Sequence, residues 1–260
     1  MKKTRLALTS FVISTLPLSA SVYGYEVVEV KKPGTITGKV TFSGDDPAPV
    51  KFMVAKDVEV CGKTREVDFV KVNNGALTDV AVYLENVQAG KPYLQEEIQL
   101  EIQTDKTVQP AKMASIEQKK CDYGSLLSVI IQGEKLEIIN TDSVAHKMHA
   151  YEMMGNTKKT IFGISQPPEP NRVVTQEIAL KKGVGMKMQC DQHEFMQGFM
   201  FVAKNPYYAL VAEDGTFTIE EIPAGKYTMK AWHGKLKNHP QVDVSVEAWK
   251  TTVVNLDYQK

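Results

Sequence analysis

Between Cys190 and Gly198 the chain reads Cys-Asp-Gln-His-Glu-Phe-Met-Gln-Gly, so a thiol, an imidazole (His193) and a thioether (Met196) fall within seven residues. A second imidazole, His146, follows Asn140 by six positions in Ile138-Ile-Asn-Thr-Asp-Ser-Val-Ala-His146. A thiolate, two imidazoles and a thioether make the donor set of a mononuclear, type 1 copper centre. The soft thiolate stabilises Cu(I) and delocalises charge in Cu(II), the imidazoles complete a trigonal plane, and a weak axial thioether favours the reduced state. Cys190 and His193 stand three apart on a tight loop and can face one ion. The other imidazole has to arrive from a different strand, which His146 supplies. Each residue alone has an ordinary reading: a buried thiol, a surface or core histidine, a thioether filling space beside Phe195 and Phe199. Their joint occurrence points to copper, with a different metal or a metal-free relic of the same arrangement as the competing outcomes.

Other residues attach to this constellation. His149 follows His146 by three, which on a strand puts them on opposite faces, while a turn would bring both to one ion. His149 is therefore either an alternative ligand or a residue behind the ligands. Met148, Met153, Met154, Met186, Met188, Met196 and Met200 crowd the same stretch. Core filling explains most of them, and a thioether-based Cu(I) site is the alternative. Lys147, Lys158, Lys159, Lys181, Lys182 and Lys187 flank the ligands, either as solvated loop residues or as a basic rim for an acidic redox partner. His233 and His239 form a further imidazole pair, read as a junction and a surface residue rather than a second metal site. With Cys190 held as the thiolate, Cys61 and Cys121 are left to pair, closing a loop of about sixty residues; the alternative is that one of them is a free buried thiol.

The elements that must position these groups read as strands. Gly34 to Gly44 alternates, with Ile36, Val40 and Phe42 on one face and Thr35, Thr37, Lys39 and Thr41 on the other. Further strands are expected at 81–84, 98–102, 127–131, 135–139, 173–180, 198–202, 216–219, 227–232, 242–246 and 252–256, with a short helix over 109–118. Turn residues divide them at the spacing of β-sandwiches. The stretch from Leu84 to Tyr207 exceeds a hundred residues. A connection that long between paired strands needs structure of its own.

Two family resemblances follow. Gly34 to Pro49 and Asp214-Gly-Thr-Phe-Thr-Ile-Glu-Glu-Ile-Pro-Ala-Gly-Lys-Tyr-Thr-Met-Lys-Ala-Trp232 resemble the opening strand and the closing hairpin of the carboxypeptidase-regulatory, transthyretin-like sandwiches. Asn140, His146, Cys190, His193, Met196 and Gly198 resemble, in order, the ligand pattern of the plastocyanin-like cupredoxins. With a leader over 1–24 set aside and the chain read as all-β, the resemblances imply a discontinuous transthyretin-like sandwich over 25–95 and 204–260 and a Greek-key cupredoxin sandwich inserted over 96–203. It implies one copper ion on His146, Cys190, His193 and Met196. Two departures stand out. The His-x-x-Met spacing is shorter than in plastocyanin-like sites; the copper domain of cytochrome oxidase subunit II uses it, but with two bridging cysteines, and here positions 186 and 187 are Met and Lys. Lys147 occupies the place of the Asn that usually ties the two ligand loops together.

The start of the chain is an address. Lys2, Lys3 and Arg5 precede a mostly apolar run from Leu6 to Leu18, with small residues at Ala20 and Gly24 as cleavage points, the layout of a secretory signal peptide. Thr9, Ser10 and Pro17 interrupt the run, which is too short to span a bilayer well, and an uncleaved N-terminal anchor is the competing reading. Export to the periplasm or the medium permits disulfides. The chain has 31 basic and 31 acidic residues; loss of the leader takes three basic residues and leaves 28 against 31, or −3. That balance offers no bulk attraction to nucleic acid, and the mature chain has no membrane span. The expected function is one-electron transfer to a redox protein such as a cytochrome, without catalytic turnover and with an imidazole edge beside Phe195 as the entry point. A copper chaperone or storage protein, or a metal-free binding or adhesion module, are the other classes.

Overall fold

The computed structural model describes residues 24–93, 114–236 and 239–259. The leader and the strand expected at 98–102 lie outside them. The described chain is all-β apart from one four-residue helix, Val58–Cys61. Of the segment 109–118, residues 114–118 form a strand, not a helix. Ala114–Gln118 alternates in burial and pairs in parallel with Lys135–Asn140, so a partner strand overrides a weak local helical tendency.

Strands from the two ends of the chain pair with one another. Gly34–Ser43 lies beside Thr216–Ile222 and also takes Thr251–Val253 and Leu256–Gln259 in parallel. A second sheet runs Tyr208–Leu210, Val80–Glu85, Gly225–His233, Val242–Val246. Their facing sides share one core that includes Ile36, Val40, Leu77, Leu84, Phe217, Ile219 and Met229. The alternation of Gly34–Ser43 is kept, with Ile36, Val40 and Phe42 buried. Gly215, at φ 83°, makes the turn into Thr216–Ile222, and the Asp214 carboxylate accepts from the Thr216 N–H at 3.0 Å.

Strands between residues 114 and 203 pair only among themselves within the described residues. Five run in the order Leu127–Ile131, Gln197–Ala203, Gly185–Cys190, His146–Met154, Thr157–Gln166, and three in the order Arg172–Glu177, Lys135–Asn140, Ala114–Gln118. The space between these sheets is filled by Ile116, Leu136, Ile138, Met148, Met186, Met188 and Met200. The last four are 0–1 % exposed, so they are core rather than an open thioether site. A third cluster joins the two sheet pairs: Phe199, Phe201 and Leu127 from the outer face of the five-stranded sheet meet Trp232, Phe69 and Ala81. Gly185 and Gly234 permit this approach, since a Cβ on either would run into the Trp232 or Phe199 ring.

Candidate metal centre

The loop between Gly185–Cys190 and Gln197–Ala203 is closed at its neck. The Cys190 N–H donates to the Met196 carbonyl at 3.0 Å, and the Met196 N–H to the His193 carbonyl at 2.9 Å. These bonds turn His193 back over Cys190. His146 opens the neighbouring strand, two residues before Met148, which lies opposite Cys190 in register. Both therefore project into the core from the same face. The Cys190 Sγ stands 3.6 Å from His193 Nδ1 and 3.8 Å from His146 Nδ1. The three donor atoms lie within 4.8 Å of one another, and the imidazole centroids are 5.1 Å apart. All three residues are buried, at 0–2 % exposure. Met196 is buried in the same apolar cluster, beside Phe195, Met148 and Met188.

Each imidazole is held from behind by a carboxylate. His146 Nε2 meets Asp142 Oδ2 at 2.9 Å, and that carboxylate also accepts from the backbone N–H groups of Lys120 and Cys121. The turn carrying Asp142 is itself organised by Asn140. Its amide donates to the Val144 and Pro167 carbonyls, and its oxygen accepts from the Asp142 N–H. His193 Nε2 meets Asp57 Oδ2 at 3.1 Å. Asp57 precedes the helix Val58–Cys61 at φ 55° but makes no side-chain capping bond to it, so its carboxylate is free to face the imidazole. With Nε2–H donated to a carboxylate in both rings, both Nδ1 lone pairs face the thiol. Burial raises the Cys190 thiol, but its contact with the His193 ring and the hydrogen bonds from the backbone N–H groups of Lys147, Gln192 and His193 outweigh it, and the thiol sits below its ordinary value. That is the protonation bias a thiolate ligand needs.

The segment bearing Asp57 caps the loop. Val50–Met53 and Thr64–Val67 pair as a hairpin around the short helix. Phe52 packs on Phe195 at 6.3 Å between centroids, with the Arg65 guanidinium 5.4 Å from the Phe195 ring. Arg65 reaches Asp122 at 2.6 Å, and Lys56 donates to the Gln192 side chain at 2.8 Å. Cys61 and Cys121 form a disulfide with a sequence separation of 60, and their sulfurs lie within 4.8 Å of a His193 ring nitrogen. The bridge thus ties the cap to the site. This corrects the expectation of an open imidazole edge beside Phe195: His193 is 2 % exposed and its outer nitrogen faces Asp57.

His149 faces the opposite side of its strand from His146. Its Nδ1 meets Asp191 Oδ1 at 2.8 Å, so it contacts the residue next to Cys190 rather than the donor cluster. Lys147 also points outward, its Nζ 3.0 Å from Asp191. The tie between the segments carrying His146 and Cys190 is made there by the main chain, the Asp191 N–H donating to the Lys147 carbonyl at 2.9 Å. The lysines do not form one rim. Lys181 and Lys182 lie beyond the far end of Gly185–Cys190 from the thiol, while Lys147, Lys158 and Lys187 share the outer face of the sheet. His233 and His239 do not converge: His233 Nδ1 accepts from the Lys235 and Leu236 N–H groups, and His239 Nδ1 meets the Pro240 carbonyl at 2.7 Å. The sequence reading missed Asp142 and Asp57. Asp142, four residues before His146, has a local signal; Asp57, 136 residues from His193, has none.

Residues 187–254 match the family fn3_3, polysaccharide lyase family 4, domain II. No curated protein matches the chain. Similar solved structures include amicyanin from Paracoccus versutus (16 % identity, 47 % of this chain and 97 % of that one, TM-score 0.30). A purple cupredoxin from Nitrosopumilus maritimus is 20 % identical over 35 % of this chain and 99 % of its own, with TM-score 0.29. A copper-containing nitrite reductase from Thermus scotoductus is 13 % identical over 37 % of this chain and 24 % of its own, with TM-score 0.29.

Proposed function

We propose that this chain is an exported mononuclear copper protein that passes single electrons between redox partners without catalytic turnover. His146, Cys190, His193 and Met196 would hold the copper. They sit in a cupredoxin-like domain, residues 96–203, that interrupts a transthyretin-like sandwich formed by 25–95 and 204–260. The observation that carries the reading is the convergence of one buried thiol and two Nδ1 atoms, each imidazole backed by a carboxylate. Copper bound there would supply a one-electron couple. The protein's part is to exclude water, hold both rings in one tautomer and keep the donors in place through a change of charge. No helix among the described residues is long and apolar enough to cross a membrane.

A burial this complete favours electron transfer over a copper-carrying role, which needs an exchangeable ion. The test is metal loading. The protein with Cu(II) is expected to bind one copper per chain and to show an intense visible thiolate-to-copper band, absent in Cys190→Ser. A colourless protein, or one without stoichiometric copper, rejects the reading in favour of another metal or a metal-free module.

A further inference from the structure

An electron carrier needs an edge where the partner comes close, because tunnelling decays steeply with distance. The His193 edge is closed by Asp57, by Phe195 and by the disulfide-tied cap. A different route leaves the thiolate through its own chain neighbour. Asp191 follows Cys190 directly, and its carboxylate holds His149 Nδ1 at 2.8 Å and Lys147 Nζ at 3.0 Å. The His149 ring lies over Gly163 on the adjacent strand, where a Cβ would come within 2.8 Å of Nε2, so glycine gives the ring its seat. It is half-buried at the surface, 5.6 Å from the Tyr151 ring, which carries the Lys158 ammonium at 4.3 Å.

The face around His149 is divided. On one side Phe199 and Phe201 are covered by Trp232 and its neighbours. On the other, Lys147, Lys158 and Lys187 stand with His149 and Tyr151, and Lys235 joins them from the segment after Gly225–His233. Burial, then the charges of Lys235 and Lys158, push the Lys187 ammonium down to about 8. The Asp191 carboxylate is shared by Lys147 and His149, and among the described residues Lys158, Lys187 and Lys235 make no ion pair, so the face keeps its positive charge.

We propose that His149 is the electron port of this centre and that the lysine face around it docks an acidic haem protein. The proposal rests on the copper reading and specifies its partner. The balance is one electron: the Cys190-ligated centre is oxidised by one, the partner's ferric haem is reduced to ferrous, and no bond or proton is exchanged. Complementary charge speeds encounter and makes it salt-dependent.

The test uses the full chain with an acidic and a basic c-type cytochrome as probes. Stopped-flow oxidation of the Cu(I) protein should be faster with the acidic probe and slow as salt is raised. His149→Leu should slow it about tenfold with the visible band unchanged. The Lys158→Glu, Lys187→Glu double variant should slow it about tenfold and weaken binding of the acidic cytochrome to the metal-free protein about tenfold, by calorimetry. Rates and binding within twofold of wild type in both variants, or preference for the basic probe, overturn the port and leave the copper reading standing. Absence of the band in the wild-type protein overturns both.

Discussion

His146 and His193 present the same atom to the same thiol, yet they are held from different distances along the chain. Asp142 sits four residues before His146, in a turn ordered by Asn140, and three donors converge on it. Asp57 reaches His193 across 136 residues from a capping hairpin. In the sandwich a third buried imidazole, His233, meets no carboxylate among the described residues. Its Nδ1 accepts two backbone N–H groups, and its Nε2 has no hydrogen-bond partner among the described residues. The comparison teaches that a buried imidazole becomes a ligand-ready one when an acceptor fixes its tautomer and turns its lone pair toward the site. Burial by itself does the opposite of charging it: the His233 ring is pushed down to about 4.

Breaking the tie of the cap should have the largest effect. Cys61→Ser with Cys121→Ser opens a 60-residue loop and should cost about 2–5 kcal/mol in thermal unfolding. It should also loosen His193, whose carboxylate partner the cap carries, seen as heterogeneous ligand-field spectra of the copper form. Asp142→Asn comes next. It removes an acceptor shared by His146 and two backbone N–H groups, and copper affinity should fall about 10–100-fold in competitive titration. Asp57→Asn should be milder, about tenfold, because the Asp57 side chain is a quarter exposed and water can replace it. If Asp57→Asn equals or exceeds Asp142→Asn, the local and the distant carboxylate are not ranked by burial as argued. The smallest effect belongs to His233. Its folded value lies below its ordinary value, so the unfolded chain binds more protons as pH falls from about 6.5 toward about 4, and stability drops through that window. At pH 5.5 the loss should be about 1 kcal/mol relative to neutral pH, and His233→Gln should flatten that part of the Tm profile.

Much of this was legible because it is local. The alternation of Gly34–Ser43 survived as its buried face, and Asp214-Gly215 made its turn. Leu127–Ile131 and Val242–Val246 were read to the residue. The hairpin of His146–Met154 and Thr157–Gln166 was obscured because its lysine-rich second strand has little apolar alternation and is held by pairing. The hairpin 50–67 was missed for a related reason: its strands are short and largely exposed, and their order comes from docking on Phe195 and from the disulfide.

The sequence by itself determined which residues could serve as donors, since their chemistry is intrinsic to residue type, and their order, since the Asn140-to-His146 spacing and the Cys-x-x-His-x-x-Met loop are contiguous. Only the tertiary structure decided how those donors meet the outside. Asp57 over His193, the disulfide against the same ring, and the lysines around His149 are each assembled from segments far apart in the chain. No local pattern encodes such pairings, because they depend on which strand packs beside which.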